Sequence, residues 1–145
     1  MERLEAVSKL RSARVARLAT VRPDGRPHVV PIVFALIDDG EELNVYWAVD
    51  RKPKRSTQLQ RLRNISANPH VELVVDGYDE AWDRLWWVRA AGTSRTVEDA
   101  NESARALTAL TSKYPQYVRS PPDGPVVAIE VTEITGWQAA SIATR

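Results

Sequence analysis

The sequence predicts a mainly β fold with flanking helices: a small, mostly antiparallel barrel of about six strands. Three observations carry this. Short apolar segments rich in β-branched residues recur at 14–22, 28–37, 43–49, 70–78, 84–97 and 125–137. Turn chemistry separates the early ones, as in "PDGRP" (23–27) and "DDGEE" (38–42). Helical spacing occurs in the segments 1–13, 56–67 and 98–113. At 145 residues the chain reads as one domain, 1–145.

The first 13 residues form a short helix with Leu4, Val7 and Leu10, and Ala6 beside them, on one stripe. A strand follows at 14–22, and Pro-Asp-Gly reverses the chain. "HVVPIVFALI" (28–37) is apolar at nearly every position, so burial on both faces is expected. Pro31 within it forfeits a ladder hydrogen bond and marks a bulge, an edge, or a place where the sheet opens. In "LNVYWAV" (43–49), Leu43, Val45, Trp47 and Val49 share one face.

The helix at 56–67 carries Leu59, Leu62 and Ile65 as its buried stripe, with Arg61, Arg63 and Asn64 pointing elsewhere. Asn68-Pro69 stops it. In the strand at 84–97, adjacent Trp86 and Trp87 must face opposite sides, so one of them packs outward. Ala104, Leu107 and Leu110 form the apolar side of the helix at 98–113. A proline-rich irregular crossing at 114–124 leads to the last strand, where Val127, Ile129 and Val131 alternate with Glu130 and Thr132.

Twenty basic and 19 acidic residues leave a net charge of +1, which argues against general nucleic-acid affinity. The longest apolar run, "VVPIVFALI" (29–37), falls far short of the roughly 18–20 residues that span a bilayer. The N-terminal residues lack the apolar centre of a signal peptide. Without cysteine there is no disulfide framework, thiol nucleophile or thiolate metal site. A soluble cytoplasmic protein, without membrane or nucleic-acid partner, is the expectation.

Side-chain chemistry is sparse. His28 and His70 each begin a strand, have no partner at metal-ligand spacing, and read as surface or turn residues. There is no GxSxG elbow, Walker loop or GxGxxG. A bound cofactor that carries the reaction is therefore favoured. "DRKPKRSTQ" (50–58) supplies a place for one: Arg51, Lys52, Lys54 and Arg55 crowd together just before a helix N-terminus bearing Ser56 and Thr57. Four cations, free backbone N–H groups and the helix dipole suit a phosphate or carboxylate chain; a solvated charged loop is the alternative.

The order of these segments resembles the pyridoxamine-phosphate-oxidase-like split-barrel superfamily. "RLATVRPDGRPHVVPIVFAL", "LNVYWAVDRKPKRSTQLQRLRNISANPHVELVV" and "WWVRAAGTSRTVED" carry the likeness, over about residues 13–137. It is most similar to the actinobacterial F420-dependent branch, the flavin/deazaflavin oxidoreductases of type B. The resemblance implies a split β-barrel homodimer with the cofactor in grooves at the subunit interface. It implies coenzyme F420, or FMN as the alternative, and hydride transfer to a small electron-poor substrate. A non-catalytic flavin-, haem- or tetrapyrrole-binding protein is the further alternative.

By position in the motifs, the resemblance places Val30, Pro31 and Ile32 along the cofactor ring, and Trp47 and Ala48 beneath it. Lys52, Lys54, Arg55 and Ser56 would hold the phosphate or acidic tail. Trp87 and Arg89 match the strand position of polar ring contacts, although Trp87 replaces the glutamine of the true oxidases. The C-terminal arginine-containing substrate motif of those oxidases has no counterpart in "ITGWQAASIATR". Both departures argue against pyridoxal phosphate synthesis.

Overall fold

The computed structural model describes residues 1–50 and 56–140, with side chains in the helix starting at Ser56 described from Gln60 onward. Seven strands form one sheet: β1 (Ala16–Val21), β2 (Pro27–Ile32), β3 (Ala35–Asp38), β4 (Leu43–Ala48), β5 (His70–Gly77), β6 (Trp86–Thr96) and β7 (Val126–Gln138). Their order is β2-β1-β5-β6-β7-β4-β3, and every neighbouring pair is antiparallel. The helices are α1 (Arg3–Ser12), α2 (Ser56–Ala67), α3 (Ala100–Lys113) and the short α4 (Gln116–Arg119), which interrupts the expected irregular crossing.

The two edge strands, β2 and β3, are separated in sequence only by Val33 and Phe34. That short link holds the sheet's two edges within about 10 Å of each other, so the sheet must curl into a barrel that is open at this seam. Here the expected single strand at 28–37 becomes two. Its first half pairs with β1 and its second with β4, at opposite edges of the sheet, and one straight strand cannot do both. The Phe34 ring is fully buried at the break. Its freed N–H donates to the Tyr114 hydroxyl at 3.1 Å, and that hydroxyl donates to the Arg14 carbonyl at 2.9 Å.

The barrel interior holds the main core. Leu18, Ile32, Leu36, Val45, Trp47, Leu73, Val75, Val88, Val127 and Ile129 fill it. From α1, Ala6, Val7 and Leu10 join the core, whereas Leu4 is 86 % exposed and does not belong to the buried stripe. Ile65 of α2 packs into it with Leu62 beside it. On the outside, α3 covers β3, β4 and β7 through Ala106 and Leu110; Ala104 is exposed, because the buried line runs through 106 and 110. This second layer makes β4, not β2, the strand buried on both faces. Leu43, Val45 and Trp47 point inward as expected, while Tyr46 packs under α3.

Two polar clusters tie the helices down. Tyr46 donates to Glu102 at 2.7 Å, and Glu102 receives both Arg95 guanidinium nitrogens at 2.8 and 3.0 Å. The Asp99 side chain caps α3 by accepting from the Glu102 N–H. On α2, Asn64 is fully buried and donates to Thr20 of β1 at 2.9 Å, while its own oxygen accepts from Gln60 at 2.7 Å. Asn64 therefore faces inward, against expectation, because a polar partner on β1 satisfies it. Near the end of β6, a side chain at Gly92 would run into the Glu130 carbonyl, and the β6–β7 register shifts between Ala91 and Gly92. Among the described residues, no helix is long and apolar enough to cross a membrane.

Candidate functional site

The period-two alternation of β2 divides the residues expected along a cofactor ring. Val30 pairs with Leu18 and Ile32 with Ala16, so both turn into the barrel, while Pro31 pairs with Arg17 and turns outward. Pro31 costs nothing there, since β2 is an edge strand. Trp47 joins Val30 and Ile32 in the interior and is 1 % exposed. Ala48 faces the other way, among residues under α3. Ser56 begins α2, and Lys52, Lys54 and Arg55 lie outside the described residues.

Around this inner group lie three buried nitrogens with no hydrogen-bond partner among the described residues: His28 Nδ1, Trp47 Nε1 and Arg61 Nε. The Arg61 guanidinium sits 5.4 Å from the centroid of the Trp47 ring. Burial pushes Arg61 below the usual arginine range. His28 is also lowered, by burial first and then by the charges of Arg22 and Arg61. An indole N–H and a guanidinium N–H can only donate, and leaving them buried without an acceptor is costly. Trp47 Nε1 and Arg61 Nε are thus two buried donors that meet no acceptor among the described residues.

His28 was not expected here, and Arg61 was expected off the buried stripe of α2. His28 is not a surface residue: it is half-buried, two and four positions from Val30 and Ile32, and shares their face. That spacing was the available signal. Arg61 does not point away from the core; one helical turn from Ile65, it lies on the packed face of α2. The Thr20–Asn64–Gln60 chain fixes that face, and so fixes where Arg61 emerges.

The second group lies on the outer sheet face, which α3 leaves uncovered at β2, β1, β5 and β6. Pro31, Arg17, Val74 and Arg89 stand in one row across four strands. At the usual strand spacing, Pro31 and Arg89 are about 14 Å apart, and they do not meet within the chain. Trp87 and Arg89 do meet: the guanidinium lies 5.1 Å over the Trp87 ring. Trp87 is paired with Trp137, and these two line a groove of about 500 Å³ with Arg17, Val74, Asp76 and Tyr78. Trp86 turns inward as alternation requires and packs against the core under Lys9 Nζ, 4.6 Å away. A neighbouring groove of about 520 Å³ runs along Ala19, Glu72, Ala91 and Thr132, with His70 at its margin. Val29 and Trp137 leave 61 % and 43 % of their surface exposed on this face, an unusual amount of bare apolar area for β-sheet. Among the described residues, no group of three or more His, Cys, Asp or Glu could hold a metal ion.

A single antiparallel sheet curled into a barrel and open at one seam is the architecture of a split barrel. The chain belongs to the pyridoxamine 5'-phosphate oxidase family, whose model matches residues 3–138. Among solved structures it is similar to a conserved protein of unknown function from Corynebacterium diphtheriae, at 26 % identity and a TM-score of 0.69, over 94 % of this chain and 93 % of that one. A FAD-binding protein from Mycobacterium smegmatis shares 24 % identity with a TM-score of 0.67, over 97 % and 98 % of the two chains. A haem storage protein from Vibrio cholerae shares the fold at 15 % identity, with a TM-score of 0.64 over 94 % and 93 %. No match was found among curated proteins.

Proposed function

We propose that this protein is an oxidoreductase that uses the deazaflavin coenzyme F420 and acts on a small electron-poor substrate. The observation that carries the reading is the trio of buried nitrogens without a partner among the described residues, His28 Nδ1, Trp47 Nε1 and Arg61 Nε, gathered around Arg61 of α2. They come from β2, β4 and α2, and the sequence between β4 and α2 carries the four cations of 51–55. Arg61 and the basic segment would hold the phosphate and acidic tail, and the open backbone edge of β2 at Val30, Pro31 and Ile32 would lie along the ring. When bound, F420 supplies a hydride from C5 of its reduced ring, so the protein need provide no nucleophile. This agrees with the sparse acid–base equipment of the chain. Arg61 supplies positive charge held in place by packing on Trp47, and the core beneath excludes water.

The same reading makes the working unit a homodimer. Pro31 and the Trp87–Arg89 pair share the bare outer face but stand too far apart to grip one ligand within a chain. A second copy packed on this face would bring its Trp87 and Arg89 toward the first chain's β2. FMN in place of F420 is the second reading, supported by the FAD-binding neighbour from Mycobacterium smegmatis.

Titration of the purified protein with F420, FMN and haem, followed by tryptophan fluorescence, separates the readings. Micromolar F420 binding without an FMN response supports the proposal, and the reverse favours the flavin enzyme. Haem binding alone would indicate a storage protein. Charge reversal at Lys52 and Lys54 that leaves affinity unchanged would remove the basic segment from the site.

A further inference from the structure

A separate cluster of positive charge lies where the ends of α1 and α3 meet β3. Lys113, the last residue of α3, has its Nζ buried and without a hydrogen-bond partner among the described residues. The ammonium rests 3.9 Å from the centroid of the Phe34 ring and 5.3 Å from that of Tyr114. Arg14 stacks on the same tyrosine at 4.7 Å and donates to the Lys113 carbonyl at 2.9 Å. Arg11, from the last turn of α1, shares with Lys113 a cavity of about 250 Å³ whose other walls are Ala35, Leu36, Ala109 and Ser112.

Among the described residues, none of these three cations forms an ion pair. Burial, followed by the charges of Arg14 and Arg11, brings Lys113 down to about 8. The aromatic faces compensate the ammonium in part. They do not remove the repulsion from two guanidinium groups, and a buried charge without a counter-charge is a costly arrangement. The lining is of mixed chemistry: the cations Arg11 and Lys113 and polar Ser112, with aliphatic Ala35, Leu36 and Ala109. The volume lies just below the usual range for drug-sized ligands and suits only a small molecule.

We propose that the α1–α3–β3 junction is a binding site for a small organic monocarboxylate, held by Lys113 and Arg11 at its charged end and by Ala35, Leu36 and Ala109 along its apolar body. Arg14 adds positive charge without lining the cavity. The site shares no residue with the grooves of the outer sheet face, so it stands whether or not the cofactor reading does.

Calorimetric titration of the intact protein with benzoate tests this, with benzamide and inorganic phosphate as companion probes. Saturable benzoate binding is expected, weakened about tenfold or more by Arg11→Met and by Lys113→Met, as for loss of one charge-assisted contact. Benzamide should not bind, and benzoate affinity should fall as the pH is raised through about 8, where Lys113 loses its charge. Arg11 is exposed, so its variant remains informative should Lys113→Met disturb the end of α3. Absence of saturable benzoate binding overturns the proposal, as does binding that survives both substitutions. Equal binding of benzamide would remove the charge requirement. Phosphate binding as tight as benzoate would remove the apolar one.

Discussion

Tyr114 holds the barrel seam in place through Phe34. Its hydroxyl accepts from the Phe34 N–H, the backbone donor released where β2 ends and β3 begins, and passes its own proton to the Arg14 carbonyl. One side chain eighty positions away thus satisfies the break that lets the sheet curl. The Phe34 ring beneath it is fully buried and anchors the same two-residue link.

Tyr114→Phe should accordingly lower stability by about 1–3 kcal/mol, because it strands a buried N–H while leaving the packing nearly unchanged. Urea unfolding measures the loss. A change below a few tenths of a kcal/mol would mean that the hydroxyl does not secure the seam.

The link between Thr20 and Asn64 should behave as a coupled pair. Thr20→Val leaves the Asn64 amide buried with a donor unmet, at a cost of roughly 1–3 kcal/mol. Asn64→Leu alone should also destabilise, but the double variant should cost less than the sum of the two. A double-mutant cycle that comes out additive contradicts the coupling.

Arg61 separates binding from folding. Arg61→Met removes a half-buried guanidinium whose Nε has no acceptor among the described residues, so stability should change little or rise. Cofactor affinity should fall by about tenfold or more, the scale of a lost charged hydrogen bond. Fluorescence titration beside a thermal melt reads both quantities. Unchanged affinity excludes Arg61 from the cofactor site.

Stability should respond to pH at both extremes through one cluster. Tyr46 is pushed up to about 12, by burial first and then by its hydrogen bond to Glu102 and that carboxylate's charge. Its folded pKa lies above the unfolded value of ~10, so its contribution is complete below that pH and fades as pH rises toward about 12. Glu102 runs the other way. The Arg95 hydrogen bonds, the largest influence, hold it below the usual carboxylate range, and the Tyr46 hydroxyl adds to this. Its contribution is present above pH ~4.3 and is lost as pH falls through the lower folded value. Unfolding midpoints across pH should show Tyr46→Phe flattening the alkaline limb and Glu102→Gln the acid limb. If neither limb changes, the cluster does not couple folding to pH.

The bare sheet face predicts association. Sedimentation should find a dimer at micromolar concentration, and the paired change Val29→Glu with Trp137→Glu should shift it to monomer without loss of the fold. Cofactor affinity should drop with the dimer. A wild-type monomer that binds cofactor fully would show the site to be complete in one chain.

Local patterns foretold most of the frame. The turn at 23–27, the span of α2 and the inward set Leu43, Val45 and Trp47 follow from residue type and spacing within a few positions. The opposite facing of Trp86 and Trp87 is a consequence of strand geometry alone. Misreadings arose where a distant element decided the outcome. The run 28–37 looks like one buried strand, but its halves find different partners. Leu4 fits the helical stripe, yet the core beneath α1 reaches only Ala6, Val7 and Leu10. Asn64 and Arg61 look like solvent-facing residues until Thr20 and Trp47 are placed beside them.

Residue order is enough to read a mainly β chain with helices at known places, a cationic segment ahead of one of them, and little catalytic equipment of its own. These are properties of neighbours in the chain, governed by periodicity, turn chemistry and charge. Tertiary contacts settle that the sheet closes across Val33 and Phe34, that α3 covers one part of the outer face and leaves the rest bare, and that His28, Trp47 and Arg61 bury nitrogens with no partner among the described residues. Those outcomes depend on contacts between residues tens of positions apart, where packing and the demand for hydrogen-bond partners outweigh any local preference.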